Sequence, residues 1–155
     1  MPAVDALDAR LLLALTAQPR ATTMALAETA QVSRNTVQAR LNRFDAGVLR
    51  SFGHRIDPAA LGYRLTAFIT ITLRQQELDE VAAALAEVPE VLEVYGLSGP
   101  VDLLTRVVAK DADDLYRIAG QILATPGVER TETALTMRNL VPYRVNPLLQ
   151  RLSGH

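Results

Sequence analysis

Cysteine is absent from the chain, which excludes disulfide scaffolding and thiolate chemistry. Histidine is scarce: His54 and His155 are the only two, and no carboxylate cluster accompanies His54, so a metal centre is not expected. No apolar run approaches the roughly 20 residues that a membrane-spanning helix requires. The opening, Met1-Pro2-Ala3-Val4-Asp5, is acidic and lacks the basic segment that starts a secretory signal. These absences point to a cytoplasmic protein with no membrane partner. With 49% hydrophobic and 21% charged residues over 155 positions, the composition is that of one globular domain or two small ones.

The net charge of −1 would argue against nucleic acid if it were spread evenly, but it is not. Residues 1–60 carry seven arginines against five acids, while residues 61–155 carry nine basic and twelve acidic groups. The sharpest stretch is Ser33–Arg55, where Arg34, Arg40, Arg43, Arg50 and Arg55 face Asp45 alone. A concentrated arginine patch attracts phosphates by counterion release, and acids several Debye lengths away barely offset it.

Helical periodicity explains where that patch lies. Leu7, Leu11, Ala14 and Leu15 repeat at helical spacing, predicting a first helix from Asp5 to about Thr16 that ends at Pro19. Thr22 or Thr23 can cap a second helix carrying Leu26 and Ala27, and Ser33 can cap a third that stops at Gly47. At 100° per residue, Val37, Leu41 and Phe44 fall within about 60° of one another and form a buried stripe. Asn35, Ala39, Asn42 and Arg43 point the opposite way, flanked by Thr36 and Gln38. A helix, a tight turn and a capped helix with an amide-rich outer face is the pattern of a helix-turn-helix. Asn and Gln pair bidentately with adenine and Arg with guanine. Arg34, Asn35, Thr36 and Gln38, with Ser33 at the helix start, are therefore candidate base readers. Arg40, Arg43, Arg50 and Arg55 are candidate phosphate contacts, with a salt bridge from Arg40 to Asp5 or Asp8 as its structural alternative. Val48–Ile56 is expected to form a β-hairpin wing, with Arg50 and Arg55 flanking its tip.

Asp57-Pro58-Ala59-Ala60 ends that module and begins a linker. Leu65–Leu73 then alternates apolar and polar residues, as a strand with one buried face does. An internal repeat follows at an offset of 37 residues: Leu78 maps to Leu115, Val81 to Ile118, Ala82 to Ala119, Leu85 to Ile122, Pro89 to Pro126 and Val91 to Val128. Each half reads strand–helix–strand, and two such halves give a ferredoxin-like β-α-β-β-α-β sandwich. The expected class is α+β, with a winged helix-turn-helix over residues 1–60 and a ferredoxin-like domain over residues 61–155. The halves meet at Tyr95–Asp102. Gly96 and Gly99 lie between strands with no following helix N-terminus, so a hairpin turn is expected rather than a phosphate loop. Asp102 opens an apolar strand, where an unpaired carboxylate is costly. Either it accepts bonds from the loop's own N–H groups or it holds a ligand's ammonium.

Taken together these segments resemble the Lrp/AsnC, or feast/famine, family of transcription regulators. Val4–Leu12 resembles the family's opening L-D-x-x-D-x-x-I-L. Ser33–Leu41 through Gly47-Val48-Leu49 resembles its reading helix and exit, and Ser98–Asp102 resembles the G-x-x-D loop of its amino-acid-responsive sensor, the RAM domain. The resemblance implies a regulator of double-stranded DNA that dimerises through its sensor sheets and assembles further, to octamers. It also implies an amino-acid effector near Ser98, Gly99, Val101 and Asp102, with Thr133 of a facing protomer a weaker candidate, and no cofactor. The chain departs from the family pattern at Gln31, where a turn glycine is usual, at Ala39, often basic, and at Pro100-Val101, usually acidic and aromatic.

The function expected is therefore sequence-specific DNA binding under the control of a small effector, without catalysis. Two alternatives remain at this point. One is an enzyme resembling siroheme decarboxylases, which share the two-domain shape but want well-placed histidines. The other is a small-molecule-binding module whose reader no longer touches DNA.

Overall fold

A computed structural model describes residues 4–154; His155 and Met1–Ala3 lie outside the described residues. The chain divides into two compact units. One takes in residues up to His54 together with those from Val141 onward, and the other is Arg55–Leu140. The segment after Val141, expected to close the second domain, is thus grouped with the first.

In the first unit, α1 (Ala6–Ala17), α2 (Thr23–Ala30) and α3 (Arg34–Gly47) each begin at a side-chain cap. Asp5 accepts the Asp8 N–H at 2.8 Å while Asp8 accepts the Asp5 N–H at 3.0 Å, a reciprocal capping box. Thr22 caps α2 through the Ala25 N–H at 3.2 Å, and Ser33 caps α3 through the Thr36 N–H at 3.1 Å. Between α2 and α3 the backbone turns through Gln31 at φ 55°, ψ 46°, a left-handed position that a side chain occupies at a cost of about 1 kcal/mol relative to glycine. Leu11, Leu12, Leu26, Val37 and Phe44 form the core, and Leu149 of the C-terminal helix α6 (Asn146–Ser153) packs into it.

The expected hairpin wing is not there. No strand occurs between Val48 and Arg64 among the described residues; Phe52–Arg55 and Pro58–Leu61 are single 3-10 turns. The cause is local hydrogen bonding. The Val48 and Leu49 N–H groups both turn back to the Phe44 carbonyl, at 2.9 and 2.8 Å, closing α3 and leaving neither for a ladder. The His54 N–H then bonds to the Ser51 carbonyl at 3.1 Å, and the Asp57 carboxylate caps the Ala59 N–H at 3.0 Å.

The second unit is the ferredoxin-like sandwich. Strands β1 (Leu65–Leu73), β2 (Val91–Gly96), β3 (Leu103–Ala109) and β4 (Val128–Leu135) form an antiparallel sheet in the order β2-β3-β1-β4. Helices α4 (Leu78–Ala86) and α5 (Ala112–Leu123) complete the β-α-β-β-α-β order. Alternation in β1 sends Ala67, Ile69, Ile71 and Leu73 into the core, where they meet Val81, Leu85, Ile118 and Ile122. Those four helix residues are two matched pairs of the repeat, and all are fully buried. The repeat breaks where Gly127 stands opposite Glu90. Gly127 has φ 93°, and a Cβ there would run into Glu77 and Val81, so only glycine fits.

Candidate nucleic-acid interface and ligand cleft

The outer face of α3 is set by its stripe. Val37 and Phe44 are fully buried, which leaves Arg34, Asn35, Gln38, Ala39 and Asn42 exposed and Thr36 half-buried. Several of these side chains are already ordered. Gln38 donates from Nε2 to Asn42 Oδ1 at 3.0 Å, Thr23 of α2 donates to Gln38 Oε1 at 3.5 Å, and the Ser33 and Thr36 hydroxyls bond at 2.8 Å. The structure thus brings Ser33, Arg34, Asn35, Thr36 and Gln38 together on one solvent-facing surface of donors and acceptors.

Two of the arginines assigned to phosphates turn inward instead. Arg40 donates from Nη1 to Asp5 at 2.5 Å and to Asp8 at 2.9 Å. Arg43, which the helical wheel points outward, bends back so that its Nη2 pairs with the other oxygen of Asp8. Asp8 is fully buried, while the two guanidiniums keep 26% and 32% of their side-chain exposure. A buried carboxylate needs compensation, and Asp8 supplies the reason both long side chains fold down. The Asp8 N–H and then Arg40 hold the Asp5 carboxyl below the ordinary aspartate range. The same contacts, Asp5 first, raise Arg40.

Arg50 remains exposed and stacks on the Tyr143 ring, 5.3 Å from its centroid, within the first unit. Arg55 ends the 3-10 turn and falls in the second unit, so it does not flank a wing tip. His54 Nδ1 lies 3.2 Å from the Ser51 hydroxyl. Among the described residues, no group of three or more His, Cys, Asp or Glu side chains could hold a metal ion.

In the second unit, Leu97–Asp102 is a hairpin turn closed by the Leu97 N–H on the Asp102 carbonyl at 2.8 Å, with Gly99 at φ 133°. Asp102 does not accept from the N–H groups of its own loop. Its Oδ2 accepts the Leu73 N–H at 2.9 Å, and its own N–H donates to the Ile71 carbonyl at 3.0 Å, latching the turn to the end of β1. Beside this latch lies a cleft of about 230 Å³ lined by Thr70, Thr72, Pro100, Val101, Arg130 and Glu132. Val101 is the one predicted effector residue among them; Ser98 and Gly99 sit on the exposed turn. Thr133 is brought elsewhere. It pairs with Ile69 and so shares the helix-covered face, whereas Glu132, opposite Thr70, belongs to the open face with the cleft.

Thr70, Thr72, Arg130 and Glu132 were not singled out by sequence. Their signal was the polar half of the β1 alternation and an i, i+2 charge pair in β4, joined here by an Arg130–Glu132 ion pair.

Comparison with known proteins places both halves. A model of the AsnC-type helix-turn-helix domain matches residues 4–44, and one of the Lrp/AsnC ligand binding domain matches residues 66–145. The chain is 34% identical over 142 residues to the HTH-type transcriptional regulator AldR of Mycolicibacterium smegmatis, spanning 88% of this chain and 83% of that one. Among solved structures it is similar to E. coli AsnC, with a TM-score of 0.84 and 26% identity over 94% of this chain and all of that one. It is also similar to a feast or famine regulatory protein of M. tuberculosis complexed with L-methionine, with a TM-score of 0.79 and 32% identity over 92% and 98% of the two chains.

Proposed function

Because the chain belongs to the Lrp/AsnC family of transcriptional regulators, we propose that it binds double-stranded DNA sequence-specifically and answers to an amino-acid effector. The observation that carries the DNA reading is the exposed Arg34, Asn35, Gln38 face on a helix whose start is fixed by the Ser33 cap and the left-handed Gln31. In this reading Arg34, Asn35, Thr36 and Gln38 meet base edges, and Ser33, Arg50 and Arg55 position the protein on the backbone. Arg40 and Arg43 instead hold α3 to α1.

The effector part rests on the cleft beside the Asp102 latch. Arg130 and Glu132 offer opposite charges for the carboxylate and ammonium of a free amino acid, the Thr70 and Thr72 hydroxyls lie alongside, and Pro100 and Val101 give a wall for its side chain. The M. tuberculosis relative was solved with L-methionine, which favours this class of ligand. Ser98 and Gly99 shape the turn from outside, and Thr133 belongs to the site only where a second protomer supplies it. The reading includes a homodimer formed through the open sheet face, where Phe68 and Tyr95 are exposed, and further assembly, to an octamer. It requires no cofactor and no catalysis, and it places the protein in the cytoplasm. No helix among the described residues is long and apolar enough to cross a membrane.

Selection of duplexes from a random pool, followed by anisotropy on the selected and scrambled sequences, tests the reader. The expected preference is about 10³-fold or more at physiological salt; equal affinity for both would remove sequence-specific binding. A thermal-shift series over the twenty amino acids tests the sensor. A ligand added well above its Kd raises the midpoint, and Arg130→Gln abolishes that rise. A rise that persists in Arg130→Gln moves the site elsewhere.

A further inference from the structure

The first unit holds a cleft that the reading above does not use. It opens between α1, α2 and α6 and measures about 490 Å³, within the roughly 300–1,000 Å³ typical of small-molecule pockets. The space exists because of side-chain size and polarity. α6 sends Leu149 into the core but turns Gln150 and Ser153 toward the cleft, and the facing positions on α1 and α2 include Ala14 and Ala30. The floor is apolar: Leu11 is fully buried and Leu26 nearly so.

One group at its edge is conspicuous by its chemistry. Arg10 is exposed and lines the cleft, yet its guanidinium has no carboxylate partner among the described residues. Arg40 and Arg43 in the same unit have one and Arg34 does not; what sets Arg10 apart is that it lines the apolar cleft. The Ser153 hydroxyl at the rim is already spent on its own helix, donating to the Gln150 carbonyl at 2.9 Å. An unpaired guanidinium beside an apolar floor is complementary to a carboxylate carried on a hydrocarbon body.

We propose that this cleft binds an amphipathic organic acid, its carboxylate on Arg10 and its apolar body over Leu11, Leu26 and Ala30. The site lies within the first unit and does not depend on the cleft of the second. Leu26 and Ala30 lie on α2, which leads through Gln31 directly into the reading helix. An occupant would therefore brace α2 against α1 and α6, and occupancy and the placement of α3 would be linked.

The test uses the full-length protein and a diazirine-bearing analogue of decanoate. After irradiation, adducts are mapped by peptide mass spectrometry with a protease that does not cut at arginine. Adducts are expected in the peptides carrying Leu11 to Ala14, Leu26 to Ala30 and Gln150 to Ser153. Decanoate should compete at least tenfold better than decanol, and Arg10→Gln should cut labelling at least tenfold with an unchanged melting curve. Thr29→Trp, at an exposed position of the rim, should block labelling by filling the space. Adducts scattered over other exposed apolar residues such as Leu61 and Met137 would overturn the proposal. So would full labelling of Arg10→Gln, equal competition by decanol, or a cleft that stays unlabelled because a second copy covers it.

Discussion

The two units solve the same problem, fixing helices at defined angles, with different chemistry. The second unit does it with an apolar core: Ile69, Ile71, Val81, Leu85, Val107, Ile118 and Ile122 are all fully buried, and its ion pairs stay at the surface. Arg117, for example, is half exposed while pairing with Glu90 at 2.7 Å and Asp114 at 2.8 Å, and solvent-screened pairs of this kind add little to stability. The first unit places a charge at its centre. Asp8 is fully buried between α1 and α3 and takes both Arg40 and Arg43. Four short helices bury less surface than a sandwich, and apolar contacts alone tolerate several crossing angles. A carboxylate with two guanidinium partners tolerates few. The lesson is that the unit whose work is to aim a helix carries the directional interaction, and the unit whose work is to hold a sheet does not need one.

That contrast can be broken first where it is apolar. Ile71→Ala should destabilise the second unit by about 4 kcal/mol, through lost transfer energy and a residual cavity, with no change in a fragment-free measure of the first such as hydrogen exchange in α1 and α3. Asp8→Ala comes next, at about 2–3 kcal/mol in the first unit. This lies below the usual 3–5 for breaking a buried pair because both arginines can swing out to water. Hydrogen exchange that changed equally in both units would erase the distinction.

DNA binding sharpens it further. Arg34→Ala should cost about 1–3 kcal/mol of discrimination between a selected and a scrambled duplex. Arg43→Ala should lower the melting point of the first unit while leaving the salt slope of binding unchanged. If Arg43→Ala flattens that slope, the inward arginines are phosphate contacts after all.

Much of this was legible in the residues. The β1 limits, Leu65 and Leu73, followed from alternation alone, and the repeat matched Val81 to Ile118 and Leu85 to Ile122, four residues that share one core. The caps at Thr22 and Ser33 were equally local, whereas Asp5, read as the first residue of α1, is its cap. What failed were features that depend on reach and register. A helical wheel gives the direction of Arg43 Cα–Cβ, not where a six-bond side chain goes when a buried carboxylate lies within range. The wing was read from composition, but the Val48 and Leu49 amides were already committed to closing α3. The cleft brings Thr70 and Thr72 beside Arg130 and Glu132 by a strand pairing that shifts at Thr72/Leu73, which no single-strand pattern contains.

Smaller effects separate the units as well. Gln31→Gly should stabilise the first unit by up to about 1 kcal/mol, since the left-handed turn then carries no Cβ penalty, offset in part by the freer unfolded chain. The smallest effect concerns acid. Asp5 is held below its ordinary value by the Asp8 N–H and Arg40, so its contribution is present above the unfolded pKa of about 4 and lost as pH falls through the lowered folded one. Asp5→Asn should remove that part of the acid sensitivity of the first unit below about pH 4, read as a shallower fall of its melting point.

The return of α6 onto α1 has a consequence for how the protein is made. The first unit is assembled from segments on either side of the sandwich, which is inserted between them. A nascent polypeptide emerges from its N-terminus, so α1 to α3 are synthesised long before the helix that seats Leu149 among them. The DNA-facing half is begun before the sensor half and completed after it, once the sandwich has had time to fold, and a message cut short before α6 would yield a finished sandwich joined to an unfinished reader.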